Sequence, residues 1–177
     1  MPVPRYPTTH AACADRAATS SAETPLSRAT LSGLDATVTV LGHGLRPSGV
    51  EVVREYAPDL PPVPARGSEL TQVWTQLIGN ALDALDGAGR LALRTRREGD
   101  RVAVEVADTG PGIPPELLDR IFDPYFTTRP VGQGVGLGVD VARRIVVGLG
   151  GDLRVTSEPG NTVLAVRLPV SRQAQPS

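Results

Sequence analysis

The residue types with the clearest chemical potential lie on a predicted helix between Glu69 and Leu85. Apolar residues recur there at helical spacing, so we expect them to form one broad buried face. They are Leu70, Val73, Trp74, Leu77, Ala81, Ala84 and Leu85. On the opposite side, a narrow polar stripe is formed by Gln72, Gln76, Asn80 and Asp83. A solvated face normally carries Lys, Arg or Glu, and this stripe has none of them.

The stripe therefore has two interpretations. An ordinary solvent-facing surface is the simpler one. The residue types favour metal binding instead, because the carboxamide oxygen of Asn80 is a hard ligand that suits Mg²⁺ beside water and phosphate oxygens. Asp83, one turn further, is a candidate to hold a metal-bound water or to face solvent.

A second candidate site follows a predicted strand that ends at Ala107. Residues 108–114 read DTGPGIP, a carboxylate followed by two closely spaced glycines. A tight turn is one interpretation. A carboxylate at a strand end also accepts a hydrogen bond from an exocyclic amine such as that of adenine. Gly110 and Gly112 would let the backbone approach a flat ring, so we predict a base-binding loop.

Glycine occupies every second position from Gly132 to Gly138, directly before a helix predicted at Val139–Leu149. The N terminus of a helix presents free N–H groups and the positive end of the helix dipole. The pattern therefore favours phosphate binding over a plain surface loop. It is no Walker A loop, because no Gly-Lys-Ser/Thr follows, and no dinucleotide fingerprint, because no strand directly precedes it.

An aromatic segment lies between the two glycine segments. Residues 122–129 read FDPYFTTR and hold both phenylalanines of a chain with only 3% aromatic residues. This concentration predicts a lid that is anchored by its rings. Arg129 is then a candidate to reach a terminal phosphate.

The remaining pattern mixes hairpins with helices and does not repeat β-α strictly. Strands are predicted at Val50–Tyr56, Arg90–Arg96, Arg101–Ala107, Asp152–Ser157 and Thr162–Leu168, with Val63 as a candidate for a short edge strand. Further helices are predicted at Leu26–Leu45, weakened by Gly42 and Gly44, and at Pro114–Ile121. The pattern favours an α+β fold, a two-layer sandwich with helices on one face of a mixed, mainly antiparallel sheet.

One domain is expected, covering residues 26–170 with 26–48 as a leading helical segment. Residues 1–25 are rich in Pro, Ala, Thr and Ser without a period, and we expect them, like residues 171–177, to be disordered. The single Cys13 excludes an internal disulfide. A net charge of −1 gives no electrostatic case for nucleic acid. No membrane span or secretory signal is recognised, so we expect a cytoplasmic protein.

In this order the segments resemble four motifs of the ATP-binding domain of histidine kinases, within the group that includes gyrase, Hsp90 and MutL. Residues 76–84 (QLIGNALDA) are similar to the N box, and residues 108–113 (DTGPGI) to the first glycine box. Residues 122–129 resemble the F box, and residues 134–138 (GVGLG) the second glycine box. The resemblance covers roughly residues 50–170.

The resemblance implies a Bergerat-type fold and the cofactors ATP and Mg²⁺. It implies Mg²⁺ ligation by Asn80, recognition of the adenine amine by Asp108, and a lid over the phosphates. The residues expected at the nucleotide are Asn80, Asp83, Asp108, Gly110, Gly112, Ile113, Thr128, Gly132, Gly134, Val135, Gly136, Leu137 and Gly138. The candidate catalytic residues are Asn80, Gln76 and Arg129.

Some positions depart from the family pattern. Gln76 stands where hydrolytic members carry a Glu that acts as general base, and an amide cannot accept a proton usefully. Val135 replaces a frequent Thr, and Arg129 replaces a frequent Lys with the charge kept. His10 and His43 lack the setting of an acceptor histidine, because His10 has no following acid and His43 lies between glycines.

The expected function is therefore transfer of the ATP γ-phosphoryl group to a histidine outside this domain. A histidine-bearing dimerisation domain and a response regulator are the implied partners. Two alternatives stay open. One is a non-catalytic ATP-binding regulatory module, favoured by Gln76 and Val135, and the other is a serine kinase of the anti-sigma type.

Overall fold

The computed structural model of the chain describes residues 26–43, 49–126, 136 and 138–170. The helices are α1 (Leu26–His43), α2 (Gly67–Leu85) and α3 (Gly138–Gly148), and two 3₁₀ turns cover Pro115–Leu117 and Arg120–Phe122. The strands are β1 (Gly49–Tyr56), β2 (Ala88–Glu98), β3 (Arg101–Asp108), β4 (Asp152–Glu158) and β5 (Asn161–Pro169). Within these ranges, no helix combines the length and the apolar character needed to cross a membrane.

The five strands form one sheet in the order β1-β2-β3-β5-β4. β1 pairs with β2 in parallel, and every other pair is antiparallel. The register places Asp108 at the end of β3 opposite Thr162 of β5, and Thr162 opposite Ser157 of β4. The predicted α+β sandwich with a mixed, mainly antiparallel sheet is confirmed.

The two faces of the sheet differ in chemistry because successive side chains point to opposite sides. Val102, Val104 and Val106 of β3 join the apolar core that the helices cover. On the other face, arginines pair with carboxylates, as in Arg94–Glu55 and Arg96–Glu105. All three helices therefore pack on one side, with α2 against both α1 and α3.

The α2 helix forms the centre of this layer. Its first turn is closed by Glu69, whose carboxylate accepts a hydrogen bond from the Arg66 N–H at 3.2 Å. It ends where Asp86 and Gly87 adopt positive φ angles of 46° and 86°. Its buried residues are Leu70, Val73, Trp74, Leu77, Ile78, Ala81, Leu82 and Leu85.

The buried face of α2 corrects one prediction. Ala84 is exposed, although its spacing placed it among the apolar residues. Ile78 and Leu82 are buried instead, because α1, α3 and the sheet together enclose a wider arc of α2 than a single neighbour would. Ala84 lies one turn after Asn80 on the same side of α2, beside the loop after β3.

Within the described part of the chain, two elements differ from their prediction. The helix predicted at Pro114–Ile121 is replaced by the two 3₁₀ turns, since consecutive prolines remove N–H donors and neither turn buries a residue. Val63 is buried but lies outside any strand. The prolines on either side of it cannot donate to a strand ladder.

Candidate functional site

One stripe of α2 borders both glycine segments. A Cβ placed on Gly138 would lie 2.5 Å from Oε1 of Gln76 and 3.9 Å from Nδ2 of Asn80. A Cβ placed on Gly110 would lie 3.0 Å from the carbonyl oxygen of Ala84. Gln76, Asn80 and Ala84 are successive i, i+4 positions, and the helix rises about 12 Å between the first and the last. The stripe thus joins two glycine-lined regions at a separation that a nucleoside triphosphate can span.

The first region is built around Asp108. This last residue of β3 is 5% exposed, and its Oδ1 accepts a hydrogen bond from the Gly110 N–H at 2.9 Å. Burial raises the pKa of the Asp108 carboxyl, and the hydrogen bond from Gly110 acts in the opposite direction. A carboxylate withheld from water in this way is an acceptor for a specific donor group on a ligand.

The two glycines of the same loop are required because neighbouring atoms lie too close to leave room for a side chain. A Cβ on Gly110 would lie 2.7 Å from Oδ1 of Asp108. Gly112 has a φ of 84°, and a Cβ there would lie 2.8 Å from the carbonyl carbon of Glu158. The structure therefore brings Asp108, Gly110 and Gly112 together, as the sequence predicted.

Contacts from the β4–β5 turn hold this loop, and they were not predicted. The Gly160 N–H donates to the Gly110 carbonyl at 2.9 Å. The Ile113 N–H donates to Oγ of Ser157 at 2.8 Å, and that oxygen lies 2.8 Å from Oγ1 of Thr162. The sequence placed Ser157 and Thr162 only at the ends of two predicted strands, and the strand register was needed to bring them to Asp108.

The second region lies where α2 meets the start of α3. Gln76 and Asn80 are half-buried there beside Gly138, the first residue of α3. Gln72 and Asp83, at the two ends of the predicted stripe, are exposed. The free N–H groups of the α3 N terminus and the neutral amides of α2 suit an anionic ligand.

Asp140 in the first turn of α3 was missed by the sequence reading. It is 7% exposed and forms an ion pair with Arg144, whose Nη2 lies 2.9 Å from its Oδ2. A carboxylate in a first helical turn interacts favourably with the helix dipole. No sequence signal beyond the i, i+4 spacing to Arg144 could have indicated its burial.

The aromatic segment is only partly anchored by its rings. The guanidinium of Arg143 lies 4.7 Å from the ring centroid of Phe122, and that of Arg120 lies 4.6 Å from that of Phe126. Tyr125 is 73% exposed with a φ of 65°, so its ring was wrongly predicted to be an anchor. A Cβ on Gly136 would lie 2.5 Å from the Phe126 carbonyl oxygen, so the aromatic segment reaches the second glycine segment.

Several predicted site residues lie outside the described residues, and their roles stay predictions. They are Thr128, Arg129, Gly132, Gly134, Val135 and Leu137. The same holds for His10, Cys13 and both predicted disordered tails. α1 ends at His43, whose side chain is also outside the description.

The side chains at the site suit a metal ion that binds together with phosphate and takes some of its ligands from the phosphate oxygens. In the described ranges, no three His, Cys, Asp or Glu side chains are grouped to hold a metal ion. A hard cation would therefore take ligands from a carboxamide, water and phosphate oxygens. Asn80, which lies beside Gly138, is placed to supply such a carboxamide.

Two curated relatives are a two-component sensor and a sensory histidine kinase/phosphatase, and this chain spans only a part of each. It is 38% identical over 143 residues to the two-component sensor PprA of Pseudomonas aeruginosa, covering 77% of this chain and 16% of that protein. It is 36% identical over 137 residues to the sensory histidine kinase/phosphatase NtrB of Salmonella typhimurium, covering 71% of this chain and 39% of that protein.

Solved structures and family membership agree with these relatives. The nucleotide-free catalytic domain of the histidine kinase ThkA superposes with a TM-score of 0.71 at 26% identity, covering 78% of this chain and 91% of that one. Full-length ShkA in complex with AMPPNP also gives 0.71 at 26% identity, covering 88% and 32%. Residues 65–172 match the family described as histidine kinase-, DNA gyrase B- and HSP90-like ATPase. The chain belongs to this family and is an ATP-binding domain of the histidine-kinase type.

Proposed function

We propose that this chain binds Mg-ATP and transfers the γ-phosphoryl group to a histidine outside the domain, as the catalytic part of a two-component sensor histidine kinase. The observation that carries the proposal is the α2 stripe that borders Gly138 at one end and Gly110 at the other. The name of the relative NtrB, a sensory histidine kinase/phosphatase, supports the reaction class.

Adenine is assigned to the Asp108 side of the stripe. The exocyclic amine of the base donates to the Asp108 carboxylate, whose burial removes competing water. Gly110 and Gly112 leave room for the ring, because side chains there would fill the space. This arrangement selects adenine over guanine, which presents a carbonyl oxygen at the equivalent position.

The triphosphate is assigned to the start of α3. We propose that the phosphates bind the N–H groups at this helix end together with Gly132, Gly134 and Gly136, and that Asn80 would contribute an oxygen to the metal. Mg²⁺, when bound, offsets the phosphate charge. Arg129 and Thr128 are proposed to reach the terminal phosphate from the aromatic segment.

Gln76 favours transfer over hydrolysis. Its carboxamide lies beside Gly138, at the phosphate end of the stripe, and it cannot take a proton from water. An imidazole needs no such base, since its neutral nitrogen attacks the γ-phosphorus directly while the bond to the bridging oxygen breaks and ADP leaves. Positioning and charge offset then supply the catalysis.

The acceptor histidine is proposed to lie on a helical dimerisation domain, and a response regulator is the proposed final acceptor. We further propose that the domain works in the cytoplasm, where ATP is available. Asp83, exposed at the end of the stripe, is proposed to hold a metal-bound water.

The test is to mix the chain with a histidine-bearing helical hairpin and γ-labelled ATP. We expect a phosphoprotein that is labile to acid and stable to base, and much less labelled product with Asp108→Ala at an ATP concentration that half-saturates the wild type. A base-labile, acid-stable product would indicate a serine kinase instead. Nucleotide binding without transfer to any of several hairpins would indicate a binding module.

A further inference from the structure

The end of β4 and the turn that follows it are fastened at three points to the loop of residues 108–114, here called the base loop. Two of them use backbone only, namely the Gly160 N–H on the Gly110 carbonyl and the packing of Gly112 against Glu158. The third uses a side chain, because the Ile113 N–H donates to Oγ of Ser157 at 2.8 Å. Of these three contacts, the one made by Ser157 is the one that a side-chain substitution can remove while the two backbone contacts stay in place.

The Ser157 hydroxyl also takes part in a polar row across the sheet. Its Oγ lies 2.8 Å from Oγ1 of Thr162, and Thr162 is the register partner of Asp108. A hydroxyl offers two acceptor sites and one donor, so Ser157 can serve Ile113 and Thr162 together. Ser157 is half-buried and Thr162 is 6% exposed, which limits replacement of these bonds by water.

Loss of the hydroxyl would leave a half-buried N–H without its acceptor at one end of the loop, while Gly110 at the other end stays bonded to Asp108. The loop between these points lines the space assigned to the base. We propose that Ser157 is a positioning residue that fixes the base loop and thereby sets the affinity and the selectivity for adenine. This inference rests on the proposed ATP binding.

The test compares Ser157→Thr with Ser157→Val, two β-branched side chains of nearly equal shape that differ in the hydroxyl. Thr156→Ala is the matched control, because Thr156 is exposed on the same strand and points to the other face. Calorimetry on the full 177-residue chain measures binding of adenosine, Mg-ADP, Mg-ATP and Mg-GTP. Hydrogen exchange of the Ile113 amide is measured in parallel.

We expect Ser157→Val to weaken adenosine, ADP and ATP binding by the same factor, about fivefold, which is the effect of one ordinary hydrogen bond. Its preference for ATP over GTP should fall, and exchange at Ile113 should accelerate. Ser157→Thr and Thr156→Ala should resemble the wild type. If Ser157→Val does not fold, Ser157→Ala gives the same comparison, since the smaller side chain cannot clash.

Equal affinities in the Thr and Val variants would overturn the inference and leave ATP binding intact. A loss that grows with the number of phosphates would also overturn it, since the effect would then lie at the other end of the site. If the wild-type chain binds no adenine nucleotide, the proposed function fails, and the role of Ser157 fails with it.

Discussion

The base side and the phosphate side of the site are built in different ways. At Gly112, an added Cβ would meet backbone atoms of Glu158 and Pro159, which cannot move without shifting the β4–β5 turn. At Gly138, an added Cβ would meet the end of the Gln76 side chain, which can rotate away. The contact at Gly112 is thus fixed by backbone packing and the contact at Gly138 is made by an adjustable side chain, although α2 borders both regions.

The two sides also differ in electrostatics. The base side holds a buried carboxylate, Asp108. Burial destabilises its charged form and so raises its pKa. The phosphate side presents neutral amides and the positive end of α3, where the buried Asp140 carboxylate is paired with Arg144. In the proposed binding mode, the buried carboxylate gives selectivity for the base, and the region at Gly138 holds the phosphates and the metal.

The largest expected effect distinguishes a steric clash at Gly112 from the cost of placing a side chain at a positive φ angle. Gly112 and Gly160 share a φ of 84°, but a Cβ on Gly160 would meet nothing within 4 Å. We expect Gly160→Ala to lower the free energy of unfolding by about 1 kcal/mol through its positive φ. Gly112→Ala should cost about 3 kcal/mol and also impair adenosine binding. Equal costs in urea unfolding would mean that the contact with Glu158 contributes nothing.

The second largest effect is expected when the Asp108 carboxylate, the charged acceptor on the base side, is removed. Asp108→Ala should weaken adenosine, ADP and ATP binding alike by about tenfold to a hundredfold, the range for a hydrogen bond to a charged group. Asp100→Ala, in the exposed β2–β3 turn, is the calorimetric control. Unchanged adenosine affinity in Asp108→Ala would place the base elsewhere.

A smaller effect is expected on the adjustable side. Gly138→Ala should displace the Gln76 amide and weaken Mg-ATP binding by about threefold, with adenosine binding unchanged. In a Gln76→Ala background, the same substitution should have no further effect on ATP affinity, because the contact is already gone. Gly148→Ala, where a Cβ meets nothing, is the control. Additive losses in this cycle would contradict the proposed contact.

The smallest effect concerns pH. Because the pKa of Asp108 is raised in the folded chain, adenosine binding should weaken on acidification at a higher pH than for an ordinary aspartate. The Asp108 carboxyl stabilises the folded chain fully at a pH below the pKa that it has in the unfolded chain. This stabilisation is lost as the pH rises through the pKa that it has in the folded chain. Asp108→Asn should therefore stabilise the ligand-free chain at neutral pH while binding weakens. A less stable variant in urea unfolding at that pH would refute this cost of burial.

Much of the fold was predictable because the strands alternate and α2 is strongly periodic. The hairpin at Gly99 and the turn at Gly160 carry clear turn residues, so β2 with β3 and β4 with β5 follow directly. The pairing of β1 in parallel with β2 was not predictable, since it joins segments that are far apart in sequence. Ala84 and Ile78 were misassigned because the number of neighbours around α2 is set by tertiary packing.

The site was predictable where a residue type itself implies a chemistry. Asp108 with Gly110 and Gly112, and Asn80 with Gly138, come together as expected. Ser157 and Thr162 were missed because their role depends on the register between β3, β5 and β4. Asp140 was missed because charge alone gives no sign of burial. The exposed ring of Tyr125 could not be distinguished by sequence from the half-buried rings of Phe122 and Phe126.

The claim that one nucleotide spans both sides is tested most directly by amide hydrogen exchange with two ligands. Adenosine should slow exchange at Gly110 and Ile113 only, whereas Mg-ATP should also slow it at Gly136 and Gly138. If Mg-ATP protects only one of these two pairs, or if adenosine protects Gly136 and Gly138, a single nucleotide does not join the two regions.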